Sequence, residues 1–254
     1  MDATHTSRVV LSSEVFEEEP EQLDQKWKAI ANAFSDFDIK IIFYIRRQDE
    51  FIVSAYSTIL VNHPTFKGTV ADLARKYLNG EKLVPINASI DYFDKLQTLS
   101  KFVGKPNIVV KVMEKEQMPG GLFADFLGIF QLPLTNDLVI PDRGKSNQSY
   151  TEEMLDVLRI LKNVYGHEKF EQFVARLPRN SLGKPNMLNY RKRKEILEQY
   201  KESNAKLAKE YLNRSNGELF LGKLNKEETN RTFFEGITKR KLARILGDLA
   251  LQQK

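Results

Sequence analysis

Arg46 and Ser54 are the residues whose types and spacing best suit ligand chemistry. Arg46 directly follows the apolar run 39–45, and Ser54 lies eight positions later in an amphipathic helical pattern. In an open α/β sheet, ligands bind at the carboxyl ends of the strands. A guanidinium fork and a hydroxyl that converge there suit a phosphate group. The alternative is two ordinary polar residues, one at a strand end and one on a helix surface, and the spacing alone does not decide between the two.

Glu14 is a second candidate for chemistry. It follows an apolar run at 8–12, within Leu11-Ser12-Ser13-Glu14. A carboxylate at a strand end could accept the proton of a substrate hydroxyl as a general base. Alternatively, Ser12 or Ser13 caps the following helix and Glu14 lies in its first turn, where the helix macrodipole favours an acid. The spacing by itself favours the cap.

Several other kinds of active site have no basis in the sequence. The chain has no cysteine, which excludes a thiol nucleophile, a thiolate metal site and disulfides. Its three histidines are scattered and show no HxH or HExxH spacing, so we expect no metal cofactor. The sequence contains no Gly-x-Ser-x-Gly elbow, no Gly-x-x-x-x-Gly-Lys-Ser/Thr loop and no Gly-x-Gly-x-x-Gly loop.

The elements that must position Arg46 and Ser54 follow an alternating order. Apolar runs predict three buried parallel strands, at 8–12, 39–45 and 107–113. Helical patterns accompany them at 20–37, 50–61, 70–78, 89–103 and 122–130. This order predicts an α/β fold, a parallel sheet wound with helices. After a polar stretch at 142–148, only helical patterns follow, at 150–164, 167–177, 190–212 and 238–252. We therefore predict an α/β core at 1–142 and a helical C-terminal region at 143–254 that packs on the same core.

Composition and charge limit the class of protein. The 254 residues are 41% hydrophobic and 29% charged, enough to fold around a core. No stretch approaches the roughly 20 apolar residues of a membrane span. Residues 1–6 lack the basic and apolar parts of a signal peptide, and with the absence of cysteine this favours a cytoplasmic setting.

The net charge of +5 comes from basic residues that are interspersed with acids. The densest cluster, Arg191-Lys192-Arg193-Lys194, opens an acidic helix and is typical of a solvated helical face. We therefore expect no specific nucleic-acid partner. The basic amphipathic pattern at 238–252 leaves peripheral contact with a membrane or an acidic partner open.

Taken in order, these motifs resemble a family of bacterial sulfotransferase-like proteins that modify polysaccharides and other glycans. The matching segments are 11–14, 44–56, 99–112, 114–127, 147–158 and 200–212. The last contains Glu-Ser-Asn-Ala-Lys-Leu-Ala-Lys-Glu-Tyr-Leu. The match runs from about residue 8 to residue 220 with natural spacing.

The resemblance implies a P-loop-like α/β fold and the sulfuryl donor 3′-phosphoadenosine 5′-phosphosulfate (PAPS). In sulfotransferases, an arginine at a strand end and a serine eight residues later bind the 3′-phosphate of this donor, and Arg46 and Ser54 match that pattern. Glu14 then becomes the candidate base that activates a hydroxyl of a glycan or another acceptor. The resemblance implies no metal.

The sequence departs from the family at its amino-terminal end. Members normally open with a strand and a loop of the type Gly-x-x-Lys-[Ser/Thr]-Gly-[Ser/Thr]-Thr that holds the 5′-phosphosulfate, and residues 1–254 contain no loop of this pattern. Its first predicted strand corresponds to the second strand of the family, so the reactive end of the donor has no binding loop in this polypeptide. A sheet edge exposed in this way favours self-association.

Two alternatives to a sulfotransferase stay open. One is a non-catalytic nucleotide-binding or regulatory remnant of that family. The other is a glycosyltransferase, which usually needs an Asp-x-Asp metal motif. The segment Asp36-Phe37-Asp38 fits those letters but lies in a predicted turn between a helix and a strand.

Overall fold

The computed structural model of the chain describes residues 9–12, 20–81, 89–135, 138, 150–174 and 185–251. The helices are α1 (Pro20–Ala33), α2 (Gln48–Asn62), α3 (Val70–Leu78), α4 (Tyr92–Val103), α5 (Gly121–Ile129), α6 (Glu152–Val174), α7 (Tyr190–Gln199), α8 (Lys201–Leu212), α9 (Lys226–Thr232) and α10 (Lys239–Leu251). The strands are β1 (Ile41–Ile45) and β2 (Ile108–Val112).

The two strands pair in parallel, and their register runs from Ile41 opposite Ile108 to Ile45 opposite Val112. The amide of Met113 extends the ladder with a 2.7 Å hydrogen bond to the carbonyl of Ile45. The ends of both strands are buried, as expected for a sheet covered by helices. The predicted runs 39–45 and 107–113 are therefore confirmed as parallel strands of a helix-rich α/β structure.

The predicted first strand is wrong for the residues that the structure describes. Residues 9–12 form no strand, and the side chains of Val9, Val10 and Leu11 are exposed. An apolar run becomes a buried strand only where a neighbouring strand completes its hydrogen bonds and a packed layer covers it. In the described part of the chain the sheet consists of β1 and β2 alone.

Local sequence signals account for several of the helix ends. Thr69 and Asp72 form a capping box at the start of α3, with both reciprocal hydrogen bonds present. Gly104, at φ 78°, ends α4 in a conformation that favours glycine. Gly166, at φ 76°, kinks α6 between the two predicted helices there. The single helix predicted at 190–212 is wrong, because the backbone at Tyr200 separates α7 from α8.

The core has two clusters, and each joins the predicted α/β core to the C-terminal helices. The first packs α2 and α3 against α6 and α7, with Ile52, Tyr56, Leu158 and Ile196 among its fully buried residues. The second covers the sheet with α1, α4 and α8. It includes Trp27, Ile45, Leu96, Val112 and Leu207.

No helix within the described ranges has both the length and the apolar character needed to span a bilayer.

Candidate functional site

Arg46 lies where the sequence predicts it, directly after β1 at the carboxyl end of the sheet. Its carbonyl oxygen accepts a 2.7 Å hydrogen bond from the hydroxyl of Tyr92, the first residue of α4, which holds the backbone in place at the strand end. The side chain of Arg46 is half-buried. Among the described residues, its guanidinium makes no hydrogen bond and no ion pair. A cation is therefore available at this end of the sheet.

Ser54 lies in the second turn of α2, and its side chain is exposed. The neighbouring residues Ile52, Val53 and Tyr56 are buried, so the helix turns Ser54 away from the core. Arg46 precedes α2 by two residues, so one continuous segment carries both predicted site residues. Among the described contacts, no hydrogen bond links their side chains. Their joint binding of a phosphate stays a prediction.

Arg47, the neighbour of Arg46, has its guanidinium fully engaged. Nε and Nη2 donate to the two carboxylate oxygens of Asp49 at 2.7 and 3.1 Å, and Nη1 donates to the carbonyl of Gly222 at 2.9 Å. Burial alone would lower the pKa of Arg47, but the carboxylates of Asp49, Glu50 and Glu114 outweigh it and raise the pKa above its ordinary value. Arg47 therefore stays charged and serves the fold.

Asp49 is fully buried and bridges two arginines. Its Oδ2 accepts a 2.6 Å hydrogen bond from Nη1 of Arg193 in α7. Arg193 also donates from Nε to the carbonyl of Leu188 at 3.0 Å and from Nη2 to Oδ1 of Asn186 at 2.9 Å. Buried charges are tolerated when they are paired and hydrogen-bonded in this way. We call Arg47, Asp49 and Arg193 the arginine–aspartate cluster.

The prediction that residues 191–194 form a solvated helical face is wrong for Arg193. Arg191 and Lys194 are exposed, but Arg193 is buried. The sequence does contain a sign that Arg193 is buried, because Arg193 lies three positions before the apolar Ile196 and therefore on the same helix face. Its partner Asp49 lies 144 positions away, and nothing local identifies it.

A second buried contact, between two amide side chains, joins the start of α2 to α8. Nε2 of Gln48 donates to Oδ1 of Asn204 at 2.7 Å, and Nδ2 of Asn204 donates to Oε1 of Gln48 at 3.1 Å. Asn204 belongs to the segment 200–212 that carries part of the family resemblance. In this structure its side chain binds Gln48, two residues after Arg46, and so supports the backbone at the strand end.

Side chains that follow β2 bind the segment 213–222 through hydrogen bonds. Oε2 of Glu114 accepts hydrogen bonds from the amide of Leu221 at 2.8 Å and from Nε2 of Gln117 at 2.7 Å. Oε1 of Gln117 accepts a 2.6 Å hydrogen bond from Nη2 of Arg214. The Glu-x-x-Gln motif after β2 thus ties this segment to the edge of the sheet, close to where Arg47 binds Gly222.

One face of the sheet carries a polar triad. Tyr44 and Lys111 are register partners in β1 and β2. Both contact Asp125 of α5: the Tyr44 hydroxyl donates to Oδ2 at 2.7 Å, and Nζ of Lys111 donates to Oδ1 at 3.0 Å. Burial, together with the hydrogen bond to Asp125, raises the pKa of Tyr44 well above its ordinary value. The Tyr44 hydroxyl therefore keeps its proton and donates a hydrogen bond that anchors α5 on the sheet.

Glu14, the candidate base, lies outside the described residues. Its role as the base therefore stays a prediction. Within the described ranges, no group of three or more histidine, aspartate or glutamate side chains could hold a metal ion.

No protein-family model, no curated protein and no solved structure matches this chain.

Proposed function

We propose that this chain is a sulfotransferase-like protein with the P-loop-like α/β fold of that family. In this proposal it binds PAPS and transfers the sulfuryl group to a hydroxyl of a glycan or a similar acceptor. The supporting observation is the contrast between Arg46 and Arg47. Two adjacent arginines leave the same strand end, and one is fully engaged by the protein, while the other has no acidic partner among the described residues.

The position of Arg46 suits a phosphate ligand. Its side chain is half-buried, where a charge is less well solvated than in bulk water and gains more from an anionic partner. A guanidinium fork can bind two phosphate oxygens at once, and the exposed hydroxyl of Ser54 on the same segment can donate to a third. In the proposal these two residues bind the 3′-phosphate of the donor.

The surrounding contacts keep this strand end rigid. The arginine–aspartate cluster attaches α7, the pair of Gln48 and Asn204 attaches α8, and Tyr92 binds the carbonyl of Arg46. A rigid strand end lets a ligand bind without ordering the residues that contact it, which reduces the entropic cost of binding.

The proposed reaction transfers one sulfuryl group. An acceptor oxygen attacks the sulfur of the donor, the bond from sulfur to the bridging phosphate oxygen breaks, and adenosine 3′,5′-bisphosphate leaves. The hydroxyl proton passes to a base, for which Glu14 is the candidate by resemblance. The negative charge that develops on the bridging oxygen requires stabilisation by a cation or by hydrogen-bond donors.

A second candidate function is nucleotide binding without chemistry. It is favoured by the fact that residues 1–254 contain no loop of the full pattern Gly-x-x-Lys-[Ser/Thr]-Gly-[Ser/Thr]-Thr for the 5′-phosphosulfate. Both candidates bind adenosine 3′,5′-bisphosphate. Only the sulfotransferase consumes PAPS when an acceptor is present, so release of the bisphosphate in the presence of a glycan acceptor separates the two.

Titration calorimetry tests the shared nucleotide site. The ligands are adenosine 3′,5′-bisphosphate and adenosine 5′-monophosphate, which differ only in the 3′-phosphate. We expect the wild-type chain to prefer the bisphosphate. Arg46→Ala removes a charged hydrogen-bond donor and should weaken its binding roughly tenfold or more. Ser54→Ala should weaken it less.

The matched controls are Arg240→Ala and Ser35→Ala, which change exposed residues in other parts of the chain. Both should bind the bisphosphate as the wild type does. A folded wild-type chain that binds neither nucleotide, or binds both equally, refutes the proposed site. So does an Arg46→Ala variant that binds as well as Arg240→Ala.

A further inference from the structure

A half-open surface cavity of about 510 Å³ lies beside the C-terminal end of α2. Residues of the connection to α3, three residues of α3 and Glu81 line it. Its volume falls in the range of small-molecule sites in proteins, roughly 300–1,000 Å³. Neither Arg46 nor Ser54 belongs to its lining.

The backbone that forms the cavity wall is held in a defined shape. Nδ1 of His63 accepts hydrogen bonds from the amides of Thr65 and Phe66 at 3.3 and 3.1 Å. At Gly68, a Cβ atom would lie 2.9 Å from Cβ of Asp72, too close for any other residue without a shift. The carbonyl of Gly68 also accepts a 3.2 Å hydrogen bond from the hydroxyl of Tyr56. These contacts therefore fix the backbone conformation of the connection between α2 and α3, which forms one side of the cavity.

The charged residues of the lining have an excess of one positive charge. Lys67, Arg75 and Lys76 are cations, while Asp72 and Glu81 are acids. Lys67 is half-buried and pairs with no acid among the described residues. The other two cations form exposed pairs, Arg75 with Asp72 at 2.9 Å and Lys76 with Glu81 at 2.5 Å. Exposed pairs of this kind contribute little to stability, so an anionic ligand can compete for their cations.

His63 supplies a neutral hydrogen-bond donor to the same lining. Because its Nδ1 accepts two backbone N–H groups, the proton of the neutral ring resides on Nε2. Burial and the positive charges of Lys162, His167 and Lys76 lower the pKa of His63 below its ordinary value. An anion in the cavity would offset these charges.

We infer that this cavity binds an acidic saccharide unit, whose carboxylate contacts Lys67, Arg75 and Lys76. The preference for an anion comes from the charge of the lining, while the choice of a saccharide rests on the proposed function. The 15 residues of α2 separate the cavity from the end of β1 by roughly 20 Å. In this inference, a sugar bound in the cavity is one unit of an extended acidic glycan, of which another unit lies near Arg46.

Calorimetry with two oligosaccharides of equal length tests this inference on the full chain. Tetragalacturonate carries a carboxylate on every unit, and maltotetraose carries none. We expect the wild-type chain to bind tetragalacturonate at least roughly tenfold more tightly than maltotetraose. Lys67→Ala should weaken tetragalacturonate binding roughly tenfold, as expected when one charged hydrogen bond is lost. The control Lys101→Ala changes an exposed lysine of α4 and should bind as the wild type does.

A second readout follows the imidazole of His63 by NMR during a pH titration. Its pKa should rise when tetragalacturonate is present, because the ligand carboxylates offset the neighbouring positive charges. Maltotetraose should leave this pKa where it is. Equal binding of the two oligosaccharides, no binding of either, or a Lys67→Ala variant that matches Lys101→Ala would overturn the inference.

The same samples separate this inference from the proposed function. A chain that binds adenosine 3′,5′-bisphosphate but not tetragalacturonate keeps the nucleotide site and loses the acidic-glycan cavity. A chain that binds tetragalacturonate but not the nucleotide keeps an acidic-saccharide site and loses the proposed sulfotransferase function.

Discussion

Two regions of the molecule pair arginine with aspartate in opposite environments. In the arginine–aspartate cluster, the side chains of Asp49 and Arg193 are 0% and 10% exposed. Beside the cavity, the side chains of Asp72 and Arg75 are 37% and 64% exposed. The N–O distances are comparable, 2.6 Å in the cluster and 2.9 Å at the cavity. The two pairs therefore differ mainly in their access to water.

This difference in burial decides what each pair can do. A buried carboxylate that loses its partner is left as an unpaired charge out of reach of water, which is costly, so the cluster holds α2, α7 and the end of β1 together. An exposed carboxylate is solvated whether or not its arginine is present, so the cavity pair contributes little to the fold. Its cation remains available to a ligand.

The largest expected effect is on Asp49. Asp49→Ala leaves the buried Arg193 and the half-buried Arg47 without their shared carboxylate, and breaking a buried pair in this way costs about 3–5 kcal/mol. We expect a loss of that size in the free energy of unfolding, measured by urea denaturation followed by circular dichroism. The control Asp24→Ala changes an exposed aspartate of α1 and should stay within about 0.5 kcal/mol of the wild type. Equal stability of the two variants would mean that the cluster does not hold the fold.

Lys162 extends the comparison to a buried cation that is bound by carbonyls. Its Nζ donates to the carbonyls of Leu60 and His63 at 2.5 and 2.6 Å, at the C-terminal end of α2. Burial lowers the pKa of Lys162 from 10.5 to about 8. Between these two pH values the unfolded chain binds more protons at this lysine than the folded chain does. The contribution of Lys162 to stability therefore becomes more favourable as the pH rises from 8 toward 10.5.

Urea denaturation at pH 7 and at pH 10 tests whether the contribution of Lys162 to stability increases with pH. The unfolding free energy of the wild type, minus that of Lys162→Met, should increase with pH by up to about 3 kcal/mol. The same difference against Lys101→Met, an exposed lysine of α4, should be flat over this range. A Lys162 difference that is flat or falls with pH would show that the folded state does not depress this pKa.

Sequence patterns predict the parts of this fold that are specified locally. β1 and β2 follow from short apolar runs, α3 from the helical pattern at 70–78, and the end of α4 from the pattern that stops before Gly104. The same patterns place Arg46 at a strand end and Ser54 on the next helix. What they miss depends on partners far away in the chain. The burial of Arg193 depends on Asp49, and an apolar run such as 9–12 is buried only if another part of the chain covers it.

The amide pair of Gln48 and Asn204 is an uncharged counterpart of the buried cluster. Asn204→Ala leaves Gln48 without the partner for its side-chain oxygen, and an unsatisfied buried polar group costs about 1–3 kcal/mol. We expect the free energy of unfolding to fall by an amount in that range. The loss should be smaller than for Asp49→Ala because no unpaired charge is left in the interior. A double-mutant cycle with Gln48→Ala should be non-additive, since the two residues share their hydrogen bonds. Strictly additive losses would mean that the two amides act independently.

The smallest effect is expected at the exposed pair. Arg75→Ala removes an ion pair to Asp72, but the Asp72 carboxylate keeps its hydrogen bonds from the amide and the hydroxyl of Thr69 at 2.8 and 2.7 Å. The capping box therefore survives, and the unfolding free energy should change by less than about 0.5 kcal/mol. The carboxylate of Asp72 would then face the cavity with one cation fewer beside it. The same variant should therefore bind tetragalacturonate more weakly while its urea midpoint stays at the wild-type value. A loss of stability close to that of Asp49→Ala would erase the distinction between the two regions, because both pairs would then support the fold.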